Sequence, residues 1–319
     1  MEIRHLAVLR ELGERGSLAA VARALHVSSS AISQQISVLQ RQAGVPLTEK
    51  RGRRLVLTPA GTALAAAAAD VSRALARADE AVARFQDDAD ATVTVSAFHS
   101  AGLAWFAPLL GRLGPHGGPL IECADHDVAR ERFPALVADY DLVIGHRVPH
   151  DPAWPTTVAV TPVLFEPLDV AVPVGHRLAQ RATLTVDDIR DEAWVAGHPG
   201  FPLAEAVHVV AATAGQPLRV VHRINEFFVA ASVVATGTAI ALLPRYTMAP
   251  RQGSGVVLVP FRDLRVGRQI DVLSRPEALA RASVRRVLAE LLTVARAGTS
   301  PTETDREPPP DPGRSAGPR

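Results

Sequence analysis

The spacing of apolar positions changes along the chain, and each change marks an element boundary. Over residues 1–58 the spacing is helical. Leu6, Leu9 and Leu12 recur on one face, and Gly13 to Gly16 are expected to stop that helix. Ser17 caps a second helix through Leu25, with Leu18, Val21, Ala22 and Leu25 on one side. Val27 and the serines after it turn the chain into a third helix, where Ile32, Ile36 and Leu39 fall at i, i+4 and i+7. In "VPLTEKRGRRLVLTPAG", residues 45–61, Leu47 and the alternation in Leu55, Val56 and Leu57 predict two short strands turning at Gly52. Thr58 then caps a new helix with Pro59 at its first position.

Residues 59–87 predict one long Ala-rich helix. Leu64, Val71, Ala78 and Phe85 lie seven apart, and Ala68, Leu75 and Val82 lie seven apart between them, the a and d positions of a heptad pattern. Such a stripe either packs on its own domain or pairs with a second copy. The second reading is favoured, with Leu64, Val71, Leu75, Val82 and Phe85 as the candidate dimer contacts. From residue 91 short aliphatic strands alternate with helical or loop segments: "TVTVS", "LIECA", "DLVIG", "LDVAVP", "AWVAG", "AIALLP" and "VVLVP". That alternation predicts an α/β domain over 88–297 with largely parallel sheets. Its length allows two subdomains, about 91–160 plus 265–297 and about 161–264. The Pro- and Gly-rich stretch 298–319 predicts a disordered tail.

Composition adds little to this picture. An apolar fraction of 47% supports real cores, and 4% aromatics means those cores are mostly Ala, Val and Leu. The net charge of +1 is an average that conceals a local basic cluster, Lys50, Arg51, Arg53 and Arg54. Lys50 is the only lysine, and the arginine bias accompanies Ala, Val, Pro and Gly richness, so it carries no functional weight. The single cysteine, Cys123, has no disulfide partner, which fits a reducing cytoplasm. No signal peptide or bilayer-spanning run is present, so no membrane association is expected. No metal-spaced His/Cys set, P-loop or G-x-S-x-G occurs, and neither metal, cofactor nor enzymatic activity is expected.

The chemistry concentrates in "HVSSSAISQQISVLQ", residues 26–40. With Ile32, Ile36 and Leu39 inward, the outward face of the third helix is Ser30, Ser33, Gln34, Ser37 and Arg41, with Ser29 at its start. Short hydroxyl and amide side chains both donate and accept, as reading base edges requires, whereas charges there would grip phosphate anywhere. Two short helices, a tight turn and a basic hairpin form a helix-turn-helix with a wing. Arg51, Arg53 and Arg54 would supply a salt-sensitive hold on the backbone of double-stranded DNA. A solvated face of a protein-binding domain is the competing reading of the helix taken alone.

At these residues the chain resembles the LysR-type transcriptional regulators. The likeness runs through Gly16-Ser17-Leu18, Ala22, Leu25, Val27-Ser28, Ala31-Ile32-Ser33, Gln35-Ile36, Leu39, Gly44-Val45, Leu47, Arg53-Arg54 and "LTPAG". It continues more loosely through "YDLVIG", "GHRLA" and "GTAIALLP". Ser29 stands where the family often has glutamine, Gln40 where it usually has glutamate and Thr48 where it usually has phenylalanine. A serine cannot make the bidentate contact that an amide makes with adenine.

The resemblance implies an N-terminal all-α winged helix-turn-helix, a dimerising linker helix, and a periplasmic-binding-protein-like α/β sensor of two subdomains. It further implies a homodimer or homotetramer, DNA bending, RNA polymerase as a candidate partner, and a small-molecule effector held between the subdomains. Loops after the strands supply the candidate contacts: His99 and Ser100, His146 and Arg147, Gly197 and His198, and Glu226 with Phe227. Ser100 at a helix start suits carboxylate capture. The histidines and Arg147 together favour an anionic metabolite, against which Glu226 works. A solute-binding protein is disfavoured by the 1–58 block. A DNA-binding architectural regulator whose sensor takes no ligand stays open.

Overall fold

The computed structural model describes residues 1–51, 54–83, 91–114, 118–149, 151–199, 201, 204–250 and 253–299. Helices α1 (Ile3–Arg15), α2 (Leu18–Ala24) and α3 (Ser29–Ala43) close on a small core of Val8, Leu12, Val21, Ile32 and Ile36. Strands β1 (Thr48–Arg51) and β2 (Arg54–Leu57) pair antiparallel, with Arg51 opposite Arg54 at the tip. Helix α1 outruns its predicted stop. Gly13 lies inside it, and the chain turns only at Gly16, in the left-handed region at φ 68°. A side chain at Gly13 would come 2.9 Å from Leu57 Cδ1, so the glycine makes room for the wing rather than ending the helix.

The long helix α4 (Pro59–Ala83) starts at Thr58, whose hydroxyl accepts from the Gly61 N–H at 3.0 Å. A Cβ at Gly61 would sit 1.9 Å from the Leu47 carbonyl oxygen, so only glycine lets α4 lie against the entry to the wing. Gln40 Oε1 accepts from the N–H groups of Leu47 and Thr48 and from the Thr48 hydroxyl, each at 3.0 Å. Two of the departures from the family pattern therefore touch each other and fasten α3 to β1.

The heptad stripe on α4 has two parts. Leu64 packs on Leu9, Leu39 and Leu47 of the first domain, and Ala68 is buried. That end takes the bland reading of a helix packed on its own domain. Leu75, by contrast, is 42% exposed. Phe85 lies outside the described residues, as does the side chain of Val82.

The second half is one nine-stranded mixed sheet folded into two lobes, in the order β4-β3-β5-β11-β6-β9-β7-β8, with β10 also on β6. The first lobe holds β3 (Thr92–Ala97), β4 (Leu120–Asp125) and β5 (Leu142–Arg147), mutually parallel. Strand β11 (Gly267–Ser274) runs antiparallel to β5. Helices α5 (His99–Leu113) and α9 (Ala282–Ala297) pack on this sheet through Trp105, Leu109, Val284, Val287 and Leu291, and the short α6 (Phe133–Leu136) adds Phe133. The second lobe holds β7 (Ala193–Ala196), β8 (Arg219–Arg223), β9 (Ile240–Pro244) and β10 (Val256–Val259), with α7 (Ala204–Ala214) and α8 (Phe227–Val234). Trp194 and Val210 sit in one core there, and Val195 and Val234 in another.

Strand β6 (Ala159–Pro173) belongs to both lobes. It pairs with β11 as far as Pro167↔Gly267, and with β9 from Leu168 onward. The lobes therefore exchange strands at 167/168 and 266/267, later on the first crossing than the predicted 160/161. The spacing reads only the second half of β6, "LDVAVP", and misses β8 and β11, because charged residues such as Arg268 and Asp271 interrupt the apolar run. Three strand pairings to β6 are antiparallel, which makes the sheet less parallel than predicted.

Helix α1 also reaches the sensor. Arg10 pairs with Glu14 at 2.7 Å and Glu277 at 2.5 Å, Arg15 with Asp139 at 2.8 Å, and Arg275 with Glu11 and with Glu14 at 2.6 Å. This charged seam explains why Arg10 and Glu11 are buried on a helix whose apolar face points elsewhere.

Candidate functional site

Two regions carry the predicted chemistry. The first is the outer face of α3. Ser28, outside the helix, accepts the Ala31 N–H on its hydroxyl at 3.2 Å and serves as N-cap, which explains one serine of the three. Ser29, Ser30, Ser33, Gln34 and Arg41 are exposed and Ser37 is half-buried. Ser37 spends its hydroxyl on the Ser33 carbonyl at 2.9 Å, and Ser30 bonds Ser28 at 2.8 Å. The side chains of Ser29, Ser33, Gln34 and Arg41 make no hydrogen bond to any described residue. Beside them stands the wing, where Lys50 is exposed and Arg51 is held only by Glu49 at 2.8 Å. Arg53 lies outside the described residues, as does the side chain of Arg54.

The second region is the cleft between the lobes. Its lining includes Phe98, His99, Ser100, His146, Gly197, Asn225, Glu226, Phe227 and Arg268. The floor is a buried ionic node on the two crossing strands. Glu166 of β6 and Arg268 of β11 are register partners, and Arg268 donates through Nε and Nη2 to Glu166 Oε2 at 2.8 and 2.7 Å. The same Nη2 reaches Ser100 Oγ of the first lobe and Thr247 Oγ1 of the second, both at 2.9 Å. Glu166 Oε1 accepts the N–H groups of Tyr246 and Thr247. Phe98 and Phe227 flank the guanidinium, with ring centroids 4.5 and 5.6 Å away.

At the mouth, His99 bridges the lobes. Its Nε2 lies 2.8 Å from Asp125 of the first lobe and its Nδ1 2.8 Å from Glu226 of the second. Burial opposes the charged imidazole, but the hydrogen bond to Glu226 and the fields of Glu226, Asp127 and Asp125 outweigh it and raise the His99 pKa. Asp127 is raised by burial and by repulsion from Glu226, against His99 and Arg268. The loops at 196–198 and 225–227 meet where the His198 N–H donates to Asn225 Oδ1 at 2.9 Å.

Four of the predicted cleft features need correction. Strand β5 continues through Arg147, so His146 and Arg147 point to opposite faces. Arg147 pairs with Asp271 at 3.2 Å and does not line the cleft. The His198 side chain is exposed and contributes only its backbone. His146 does line the cleft, but it is 3% exposed, wedged edge-on between the rings of Phe98 and Phe133. Burial, then the charge of Arg268, lowers its pKa well below the ordinary imidazole value, so it offers a neutral ring. Finally, Arg268 is compensated by Glu166, leaving Asp125, Asp127 and Glu226 around the imidazole of His99. These carboxylates at the cleft mouth work against the predicted anion.

Arg268, Asp127 and Phe98 escape sequence reasoning. Nothing in the spacing around Arg268 marks it; the carboxylates Glu166 and Asp169 inside the otherwise apolar "PVLFEPLDVAVP" are the local signal that buried cations wait elsewhere.

A winged helix-turn-helix carried on a long helix, ahead of a two-lobed α/β ligand-binding unit, defines a ligand-responsive regulator of transcription. Residues 3–62 match the family described as bacterial regulatory helix-turn-helix protein, lysR family, and residues 86–296 match the LysR substrate binding domain. The chain belongs to the LysR family of transcriptional regulators. Among curated relatives it is similar to the HTH-type transcriptional regulator MetR of Haemophilus influenzae, 26% identical over 81% of this chain and 82% of that protein. It is also similar to the transcriptional dual regulator GltC of Bacillus subtilis, 27% identical over 86% and 90%. Among solved structures it shares its fold with a full-length OxyR variant from Pseudomonas aeruginosa, with a TM-score of 0.64 at 18% identity over 93% of this chain and 95% of that one. ArgP from Mycobacterium tuberculosis gives a TM-score of 0.61 at 19% identity over 91% and 96%. Among the described residues no helix is long and apolar enough to cross a membrane.

Proposed function

We propose that this regulator reads its operator with Ser29, Ser30, Ser33, Gln34, Ser37 and Arg41 of α3, while Arg51, Arg53 and Arg54 of the wing hold the phosphates. One observation carries the reading: the exposed, uncharged side chains of Ser29, Ser33 and Gln34 on α3 have no hydrogen-bond partner among the described residues and adjoin a basic hairpin. Such groups are solvated at no cost in the free protein and find donors and acceptors in a major groove. A second copy covers the exposed part of α4 around Leu75, giving two recognition helices and a two-fold symmetric site. The homodimer, or a tetramer built from it, acts in the cytoplasm without catalysis and bears on RNA polymerase through the DNA it occupies. The effector sits against His99, Ser100, His146, Gly197, Glu226 and Phe227, and changes operator affinity by favouring one relation of the lobes.

Mapping of genomic sites bound by the full chain, with and without candidate metabolites, tests this. The expected result is a short two-fold symmetric motif whose occupancy changes with at least one small molecule. A motif insensitive to every metabolite and ion would replace this reading with a ligand-independent architectural regulator. Leu75→Asp is expected to abolish dimers in sedimentation; an unchanged dimer would remove α4 from the interface.

A further inference from the structure

The residues at the cleft mouth fit a ligand that none of the spacing in the chain announces. His99 opens α5, Asp127 follows β4, and Glu226 precedes α8, so two of the three come from one lobe and the third from the other. One ligand atom from each lies within 4.8 Å of the other two. A tetrahedral ion with ligands at about 2.0–2.2 Å holds them roughly 3.4 Å apart, so small side-chain rotations must widen the 2.8 Å His99–Glu226 pair and bring Asp127 into range. The imidazole is already oriented for it. Asp125 takes the Nε2 side of His99 at 2.8 Å and leaves Nδ1 facing Glu226. A carboxylate behind a histidine whose other nitrogen faces further carboxylates is the arrangement that fixes ring orientation and raises basicity at metal sites.

Two independent features point the same way. His146, 97% buried by its 3% exposure, lines this cavity with Nδ1 lacking any hydrogen-bond partner among the described residues. The space open to water-sized occupants in the cleft is about 60 Å³, room for an ion and a few waters at roughly 10–15 Å³ each. The guanidinium on the floor is paired with Glu166, so among the described residues His99 is the cation in direct contact with the carboxylates at the mouth.

We infer that the cleft mouth binds a divalent transition-metal ion, of the Zn²⁺ or Mn²⁺ kind, through His99, Asp127 and Glu226, and that the ion fastens the two lobes together. One imidazole with two carboxylates suits borderline Zn²⁺ best and the harder Mn²⁺ next, and both better than Mg²⁺ or Ca²⁺, which prefer all-oxygen shells. The ion joins β4 and α5 of one lobe to α8 of the other and so favours the closed cleft, the population shift expected of an effector. This inference rests on the reading of the cleft as the effector site and names the chemical class of what it takes.

The full chain, stripped with a chelator, is titrated calorimetrically with ZnCl₂ and with MnCl₂, and its operator affinity is measured with and without each salt. One ion per chain is expected to bind saturably, with no comparable response to MgCl₂. Glu226→Gln and Asp127→Asn, near-isosteric and checked for unaltered thermal unfolding, are each expected to weaken binding at least tenfold. Asp125→Asn should weaken it by about 10- to 100-fold, and His208→Ala, at an exposed site on α7, should leave it unchanged. Absence of saturable binding, or binding indifferent to Glu226→Gln and Asp127→Asn, overturns the ion. If the ion fails but a metabolite shifts operator affinity in a Glu226-dependent way, the effector reading stands alone. If the ion binds as described yet neither ion nor metabolite alters operator affinity, the site is upheld and the effector reading falls.

Discussion

The outer face of α3 and the floor of the cleft are both polar, and they are built on opposite terms. On α3, Ser29, Ser33, Gln34 and Arg41 stand in solvent with no hydrogen-bond partner among the described residues. In the cleft, Glu166 and Arg268 are almost wholly buried, and Ser100 and Thr247 join them in hydrogen bonds from both lobes. Polar groups in water need no partner, so they stay available to an incoming duplex. Polar groups withdrawn from water need partners at once, and those partners then define the geometry of the cavity. The face proposed to read DNA is left open, whereas the cleft proposed to take the effector is preassembled around its own charges.

Removing a partner should therefore hurt far more in the cleft than on α3. Glu166→Ala strands the Arg268 guanidinium and leaves the Tyr246 and Thr247 N–H groups without their carboxylate. The expected loss is about 3–5 kcal/mol in urea unfolding; a loss below 1 kcal/mol would show the node to be relaxed by water. Ser33→Ala should leave stability unchanged and lower the preference for operator over random duplex by about 1–3 kcal/mol if the hydroxyl contacts a base. Equal weakening on both duplexes would remove Ser33 from direct reading. Arg51→Ala should weaken both duplexes alike and reduce the salt slope of binding by about one, with the operator preference intact.

The smallest effect concerns His146. Its imidazole is held neutral, so the folded pKa lies below the unfolded value of about 6.5. Below pH 6.5 the unfolded chain takes up a proton that the folded chain refuses, and stability falls on acidification. His146→Asn should flatten the dependence of the urea midpoint between about pH 6.5 and 5. His99, shifted in the opposite sense, is common to both proteins and cancels in the comparison. Identical slopes would mean that His146 titrates normally.

How legible each region is in the sequence follows from the same contrast. The inward stripe Ile32, Ile36 and Leu39 dictates which side of α3 faces out, because the helical period links residues a few positions apart. The wing and the capped start of α4 are likewise local. The cleft assembles residues from α5, β6, β9 and β11, up to 168 positions apart, and no periodicity connects them. Spacing gathers His99, Ser100, Gly197, Glu226 and Phe227, all of which line the cleft, yet it adds Arg147, because it cannot see that β5 extends two residues further, and His198, whose side chain is exposed. It also reads "LDVAVP" as a strand without revealing that the strand begins at Ala159 and passes from one lobe to the other.

The sequence by itself determined everything that rests on short-range order: the three helices and their buried stripe, the basic hairpin, the caps at Ser17 and Thr58, and the change to strands after residue 91. Tertiary structure alone decided which charges neutralise each other. It set Arg268 against Glu166, gathered carboxylates at the cleft mouth, buried Arg10 and Glu11 against the sensor, and divided the α4 stripe into a covered end and an open one. The physical reason is that an apolar stripe is a property of neighbours along the chain, while the partner of a buried charge is whatever the fold brings within three ångströms of it.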